Sequence, residues 1–273
     1  MIRCDAHMHT RFSEDSDASV HSMLDAAIER GMEAVCITDH LDKDFPQTPD
    51  FPAGAFLFDL GNYFQRLTQL KEEYQKKLEV RIGVEIGLQP HLGEYYRNLT
   101  EKYPFDFVIG SVHLIHGQDP YYRTFFEGRS DEEAYQEAFQ VTIENLKKVN
   151  SFDSLGHLDY VVRYGTHQAE EYSYKKYAEE IDEILKILIA QGKGLEMNMA
   201  GMKFGLVFPN PHPDVIRRYR ELGGEIVTIG ADAHRPEHVA FDFDKAGEIL
   251  ISCGFSYYAE FKGRKPIFKR IVP

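Results

Sequence analysis

Two imidazoles two residues apart, His7 and His9, close a short apolar run near the start of the chain, and Asp232 and His234 close another near its end at the same spacing. In an extended strand, side chains at i and i+2 point the same way, so each pair can reach one point beyond its strand. That geometry suits a metal ion. Of the 12 histidines, six stand at the ends of apolar runs: His7, His9, His40, His113, His157 and His234. With Asp15, Glu85 and Asp232 they make nine candidate ligands. A divalent ion that keeps an open position takes about three or four protein ligands, so this set suffices for two or three ions if a carboxylate bridges. Glu85 and Asp232 are the natural bridges. Imidazole mixed with carboxylate, without a Cys pair, points to zinc, manganese or iron rather than to a structural zinc knuckle or a calcium loop.

For these residues to converge, many strand ends must meet in one place. Apolar β-like runs recur at about 2–6, 33–38, 80–85, 106–112, 153–157, 193–198 and 226–231. Helical patterns lie between and after them at about 19–30, 61–78, 131–149, 173–191, 213–222 and 244–253. Val20, Leu24, Ala27 and Ile28 mark one face of the first helix, which stops at Gly31, and Ile181, Ile184, Leu185 and Leu188 mark another that stops at Gly192. Strands alternating with helices imply a parallel α/β sheet, either open or closed. The polar residues decide between them. Nearly every run ends in a histidine or an acid, including Asp39 and Glu196, and a barrel gathers all its strand ends around one mouth, whereas an open sheet uses mainly a switch point. A barrel is expected.

With 273 residues, 43% hydrophobic and 27% charged, and no linker or low-complexity tract, the chain is expected to form one domain over 1–273. A net charge of −13 repels a phosphodiester backbone, which argues against nucleic acid as a partner. The N-terminus lacks a basic region followed by a long apolar one, and no stretch reaches the roughly 18 apolar residues of a membrane span. A cytoplasmic location without a membrane partner is expected. Cys4, Cys36 and Cys253 are odd in number, far apart and set in apolar segments, as buried reduced thiols are.

Taken in order, the motifs resemble the PHP (polymerase and histidinol phosphatase) superfamily, and within it the histidinol-phosphatase branch. They are Asp5-Ala-His7-Met-His9-Thr with Phe12-Ser-Glu-Asp15, Thr38-Asp39-His40, Gly83-Val-Glu85, Gly110-Ser-Val-His113, Gly156-His157-Leu-Asp159, Glu196-Met-Asn198, and Gly230-Ala-Asp232-Ala-His234-Arg235-Pro. The resemblance implies a distorted (β/α)7 barrel that holds up to three metals. It assigns His7, His9, Glu85 and Asp232 to a first ion; Glu85, His113 and His157 to a second; and Asp15, His40 and His234 to a third. Some relatives carry a histidine in place of Asp15, and Glu14 and Asp17 compete for that position.

The activity implied is hydrolysis of a small phosphate monoester, L-histidinol phosphate, by a metal-bound hydroxide, since a bound metal lowers the pKa of water to about 7. Three divalent ions bring roughly six positive charges and three carboxylates remove about half of them, leaving room for a hydroxide and a phosphate dianion. PHP relatives also include 3′–5′ exonucleases and protein-tyrosine phosphatases, and a catalytically inactive metal-stabilised scaffold is a further alternative. The acidic surface argues against the exonuclease, and nine chemically competent ligand types argue against the scaffold.

Substrate selection is expected from the loops 41–59, 114–130 and 158–172, rich in aromatic and charged residues. By analogy with the histidinol-phosphatase branch, Arg163 is the expected phosphate clamp, because guanidinium matches phosphate with two parallel hydrogen bonds. Lys203 is a second clamp that keeps the charge but lacks the fork. Asp42, two residues after His40, is the candidate for the substrate's ammonium. His116 and Asp159 are candidates for the acid that protonates the leaving group, while His21, His91, His167, His212 and His238 are set aside as non-functional. The aromatic residues of 114–130 either cap the barrel or touch substrate.

Overall fold

Strands buried on both faces read as continuous apolar runs, and that is what the barrel staves of this chain are. The computed structural model describes residues 2–272. Its elements are β1 (Cys4–Asp5), α1 (Val20–Glu29), β2 (Ala34–Ile37), β3 (His40–Leu41), α2 (Leu60–Tyr74), β4 (Glu79–Gly87), α3 (Gly93–Lys102), β5 (Phe107–Ser111), α4 (Asp131–Lys148), β6 (Ser154–Leu155), α5 (Ala178–Ala190), β7 (Gly194–Asn198), α6 (Pro213–Glu221), β8 (Val227–Gly230), α7 (Phe243–Ser252), β9 (Tyr257–Lys262) and β10 (Lys265–Arg270). Short 3-10 turns fill several of the connections.

The sheet runs β1-β2-β4-β5-β6-β7-β8, every neighbouring pair parallel, with β3 also paired to β4. β2 pairs with the first half of β4 and β3 with its second half, so the two make one broken stave. Closure comes from the last stave returning to the first: Ala6 N donates to Ile229 O at 3.1 Å and His9 N to Ala233 O at 2.8 Å. The result is the expected distorted (β/α)7 barrel, with helices packed outside.

Local chemistry sets the element ends. Ser19 caps α1 by accepting from Ser22 N, and Gly31 ends it at φ 70°, a conformation that costs glycine little. Ser130 and Glu133 form a reciprocal capping box at the start of α4. Pro213 opens α6, where its missing N–H leaves no lost bond.

Besides the short β3, which lies just past the expected run at 33–38, one helix and one hairpin lie outside the sequence expectations. Helix α3 buries only Tyr96 and Leu99, too few apolar positions to show a helical period. The antiparallel β9–β10 hairpin follows the last expected helix, and every residue of β10 is exposed, so no burial pattern marks it. From β9, Ala259 and Phe261 pack on Ala6, Cys36, Phe107 and Ile109, and Glu260 pairs with Arg81 near the start of β4. The hairpin therefore stops the end of the barrel where the strands begin. All three cysteines are free and buried, and among the described residues no helix is long and apolar enough to cross a membrane.

Candidate metal centre

The strand ends converge on Glu85, fully buried near the end of β4. Its Oε2 lies 3.1 Å from His7 Nε2, 3.3 Å from His9 Nε2 and 3.1 Å from His40 Nδ1, and its Oε1 lies 3.2 Å from His113 Nε2 and 3.0 Å from His157 Nε2. Five imidazoles thus ring one carboxylate. Asp232 Oδ1 joins them at 3.7 Å from His7 Nε2 and 3.4 Å from His9 Nε2, with His234 Nδ1 at 3.6 Å. On the outer side, Asp15 Oδ2 sits 3.2 Å from His234 Nε2 and 3.6 Å from His40 Nε2. The nine residues singled out in the sequence are contiguous in space.

Hydrogen bonding does not account for this packing. Glu85 Oε2 and His40 Nδ1 are buried and close, yet neither makes an aligned hydrogen bond. His7 and His9 turn their Nε2 atoms toward each other at 3.0 Å. Lone pairs that crowd a common space are what a cation satisfies, and N and O donors in this mixture fit a divalent transition ion. Ligand atoms lie within 4.8 Å of one another in the sets His7/His9/Glu85, Glu85/His113/His157, His9/His40/His234 and His40/Asp42/His113.

The charge states are split: against the effect of burial, neighbouring carboxylates raise His7, His113 and His234 above the usual imidazole range, adding protons that a bound cation would displace. Burial pushes the Glu85 carboxyl up, but His7, His40 and His113 together hold it well below the usual range; Asp232 is held low in the same way by His7, His9, His234 and Arg163. Burial, reinforced by His234 and His40, keeps His9 neutral, the form in which imidazole binds a metal.

A second layer of side chains fixes the rings. Glu196, in β7, places Oε1 2.6 Å from His7 Nδ1, while its Oε2 accepts from His157 N at 3.0 Å and Asn198 Nδ2 at 3.1 Å. Ser13 Oγ lies 3.2 Å from His9 Nδ1 and donates to Asp39 at 2.8 Å. Such partners set which ring nitrogen faces the centre. Space here is short: a Cβ on Gly230 would come within 2.3 Å of His7 Cβ and 2.7 Å of Glu196 Oε1, so only glycine fits.

Above the ring opens a pocket of about 630 Å³. Phe45, Phe51, Phe56, Tyr121, Tyr122, Tyr160, Tyr164 and Phe204 supply aromatic walls, Asp50 and Asp119 supply acids, and Arg163, Lys203 and Arg235 supply cations. Arg163 is buried, with its guanidinium over the rings of Tyr160 at 5.3 Å and Phe204 at 5.1 Å. Its Nε donates to Asn210 Oδ1 at 2.7 Å, Nη1 to Asp232 Oδ2 at 3.3 Å and Nη2 to Asn198 Oδ1 at 3.1 Å. A guanidinium has five N–H donors, so one remains on each Nη for the pocket it lines.

The family profile of the PHP domain matches residues 5–200. The chain belongs to the PHP family. It is similar to a probable histidinol-phosphatase of Clostridium acetobutylicum, 32% identical over 98% of both chains, and to the histidinol-phosphatase of Lactococcus lactis, 31% identical over 97% of this chain and 96% of that one. The crystal structure of histidinol phosphate phosphatase from Lactococcus lactis, complexed with zinc, L-histidinol and phosphate, superposes with a TM-score of 0.85 at 30% identity, covering 97% of this chain and 98% of that one.

In this PHP domain, several residues take places the sequence did not foresee. Asp42 lines the pocket and is turned toward His113, its Oδ2 2.6 Å from Nδ1, so that it orients that ring while its Oδ1 makes no hydrogen bond. His113 turns its other nitrogen to Glu85, so the His40/Asp42/His113 set is better read as a supported ligand than as a separate site. Lys203 lines the pocket but donates to Ala231 O at 2.8 Å and Asp232 O at 3.1 Å, and burial lowers its pKa to about 8. Neither candidate for the leaving-group acid reaches the pocket. Asp159 is fully buried behind it, and His116 is exposed near Glu137. Conversely, His238, set aside on sequence, lines the pocket, as do Asp119, Tyr160 and Phe204, which no spacing rule had marked.

Proposed function

We propose that this chain, acting as a single domain over residues 1–273, is a metal-dependent phosphomonoesterase that hydrolyses L-histidinol phosphate to L-histidinol and phosphate. The observation that carries the reading is the ring of five imidazoles about Glu85 beneath a pocket lined by Arg163. Likeness over nearly the whole chain to an enzyme crystallised with zinc, L-histidinol and phosphate supports the choice of substrate. A small metabolite as substrate and an acidic chain fit a cytoplasmic enzyme that acts on neither nucleic acid nor membrane.

His7, His9, Glu85 and Asp232 would hold one divalent ion, Glu85, His113 and His157 a second, and Asp15, His40 and His234 a third, with zinc, manganese or iron as candidates. Ions held there supply ionised water near neutral pH and positive charge against the phosphoryl oxygens. The chain's own residues do the rest. Arg163, fixed on three sides, offers its two remaining N–H groups to phosphoryl oxygens, and Lys203 adds positive charge beside them. Farther out, Asp119 and Asp50 among aromatic faces match the ammonium and imidazole of the leaving alcohol. Tyr160 ties the two ends together: its ring carries Arg163 and its hydroxyl donates to Asp119 at 3.4 Å.

Steady-state turnover of L-histidinol phosphate, p-nitrophenyl phosphate and single-stranded DNA by the metal-replete protein tests this. The expected result is a kcat/KM highest for histidinol phosphate, lost on exhaustive chelation and restored by zinc or manganese. Full activity after chelation, or a preference for DNA, would end the reading.

A further inference from the structure

Asp159, in the Gly-His-Leu-Asp motif, touches neither the pocket nor the imidazole ring, yet it is a fully buried carboxylate with both oxygens engaged. Its Oδ2 accepts from His212 N at 2.9 Å. Its Oδ1 accepts from Asn210 Nδ2 at 2.5 Å, and the carbonyl oxygen of that same amide accepts from Arg163 Nε at 2.7 Å. We propose that Asp159, acting through Asn210, is the positioning residue that aims the Arg163 guanidinium at the substrate's phosphoryl group.

The argument is one of donors and acceptors. A carboxylate only accepts and a guanidinium only donates, so an amide placed between them has one satisfactory orientation, with its NH2 toward Asp159 and its oxygen toward Arg163. Asn210 is itself fully buried and its backbone is pinned, exchanging hydrogen bonds with Asn198 at 2.7 and 2.8 Å. Asn198 in turn accepts from Arg163 Nη2 at 3.1 Å. The guanidinium plane is thus held at Nε by the Asp159–Asn210 pair and at Nη2 by Asn198, and rests between the rings of Tyr160 and Phe204. A planar fork binds an anion with two bonds only when that plane is fixed. With asparagine at 159, one of its neighbours must meet an NH2 where it needs an oxygen, and the amide of Asn210 loses its single orientation.

The inference rests on Arg163 being the phosphate clamp, and a double-mutant cycle separates the two ideas. Inhibition by inorganic phosphate and the steady-state constants for histidinol phosphate are measured for the metal-replete wild type, Asp159→Asn, Arg163→Gln and the double variant, with metal content measured alongside. Asp159→Asn is expected to weaken phosphate inhibition about tenfold and to raise KM by a similar factor, the size expected for a disturbed hydrogen bond to a charged group, with kcat and metal content changed far less. In the Arg163→Gln background the same substitution is expected to do nothing further. Unchanged phosphate inhibition in Asp159→Asn, or an equal loss with and without Arg163, overturns the positioning role while leaving the clamp intact. Unchanged inhibition in Arg163→Gln overturns the clamp itself, and the relay with it. Should Asp159→Asn not accumulate as folded protein, Asn210→Ala cuts the same link and carries the same expectations.

Discussion

Glu196 holds the far side of the His7 ring, its Oε1 2.6 Å from Nδ1, while His7 Nε2 reaches Glu85 at 3.1 Å. A carboxylate behind an imidazole fixes the ring's tautomer and raises its basicity toward a metal on the other nitrogen. Glu196→Gln keeps the shape but replaces an acceptor with an amide that can present its NH2. Zinc affinity, measured by titrating the chelated protein, is expected to fall by about 10- to 100-fold. An unchanged affinity would show that the ring is held by packing alone.

Glu85 lies within 3.3 Å of five imidazoles. Replacing it with Gln removes the charge that offsets them and the oxygens shared between two ligand sets. Bound metal per chain is expected to drop, and turnover of histidinol phosphate to fall by about three orders of magnitude, because fewer ions then activate water and hold the phosphoryl group. Metal analysis beside the kinetic assay checks this, and full metal content with full activity would remove Glu85 from the centre.

Sequence made the barrel and the centre readable because each stave buries both faces and ends in a residue type that a core rarely contains. The pairs His7/His9 and Asp232/His234 declare themselves through strand geometry alone. Residues that act from behind do not. Glu196 is visible as an acid at a strand end, but nothing in its spacing says that it faces His7 Nδ1 rather than the centre. The hold of Asp42 on His113 is hidden for the same reason, since only three-dimensional proximity links the two across 71 positions. Asp119 lies in a loop without periodicity, and Asn210 meets Arg163 from a connection between β7 and α6. Helix α3 and strand β10 go unseen because too few of their side chains are buried to write a pattern.

Asp119 should make substrate binding depend on pH. Burial pushes its carboxyl up to about 6. Because this acid binds its proton more tightly in the folded state than in the unfolded one, its contribution to stability is complete below about 4 and is lost as pH rises through about 6. Pairing with a substrate cation has the opposite sign, since only the ionised form attracts an ammonium. Asp119→Asn is therefore expected to raise KM for histidinol phosphate roughly tenfold at pH 7.5, a little over 1 kcal/mol. The ratio of variant to wild-type KM should shrink toward one as pH falls below 5, and the ratio cancels the substrate's own titration. A ratio that stays constant across this range would take Asp119 out of substrate recognition.

At the other end of β4, Arg81 Nη2 donates to Glu260 Oε2 at 2.9 Å and to Glu79 Oε2 at 3.2 Å, and Tyr258 OH donates to Glu260 Oε1 at 3.0 Å. Arg81 and Glu260 are 3% and 4% exposed, so Glu260→Ala strands a buried guanidinium with one half-exposed partner. Breaking such a pair costs about 3 kcal/mol, which urea unfolding of the variant should register. Arg81 and Glu85 are four residues apart on one strand, about 13 Å along it. Stability is thus expected to fall while zinc content and the KM for histidinol phosphate stay at wild-type values. A tenfold change in KM with Glu260→Ala would mean that the hairpin reaches the catalytic end of the barrel through the strand, contrary to the separation of the two ends argued above.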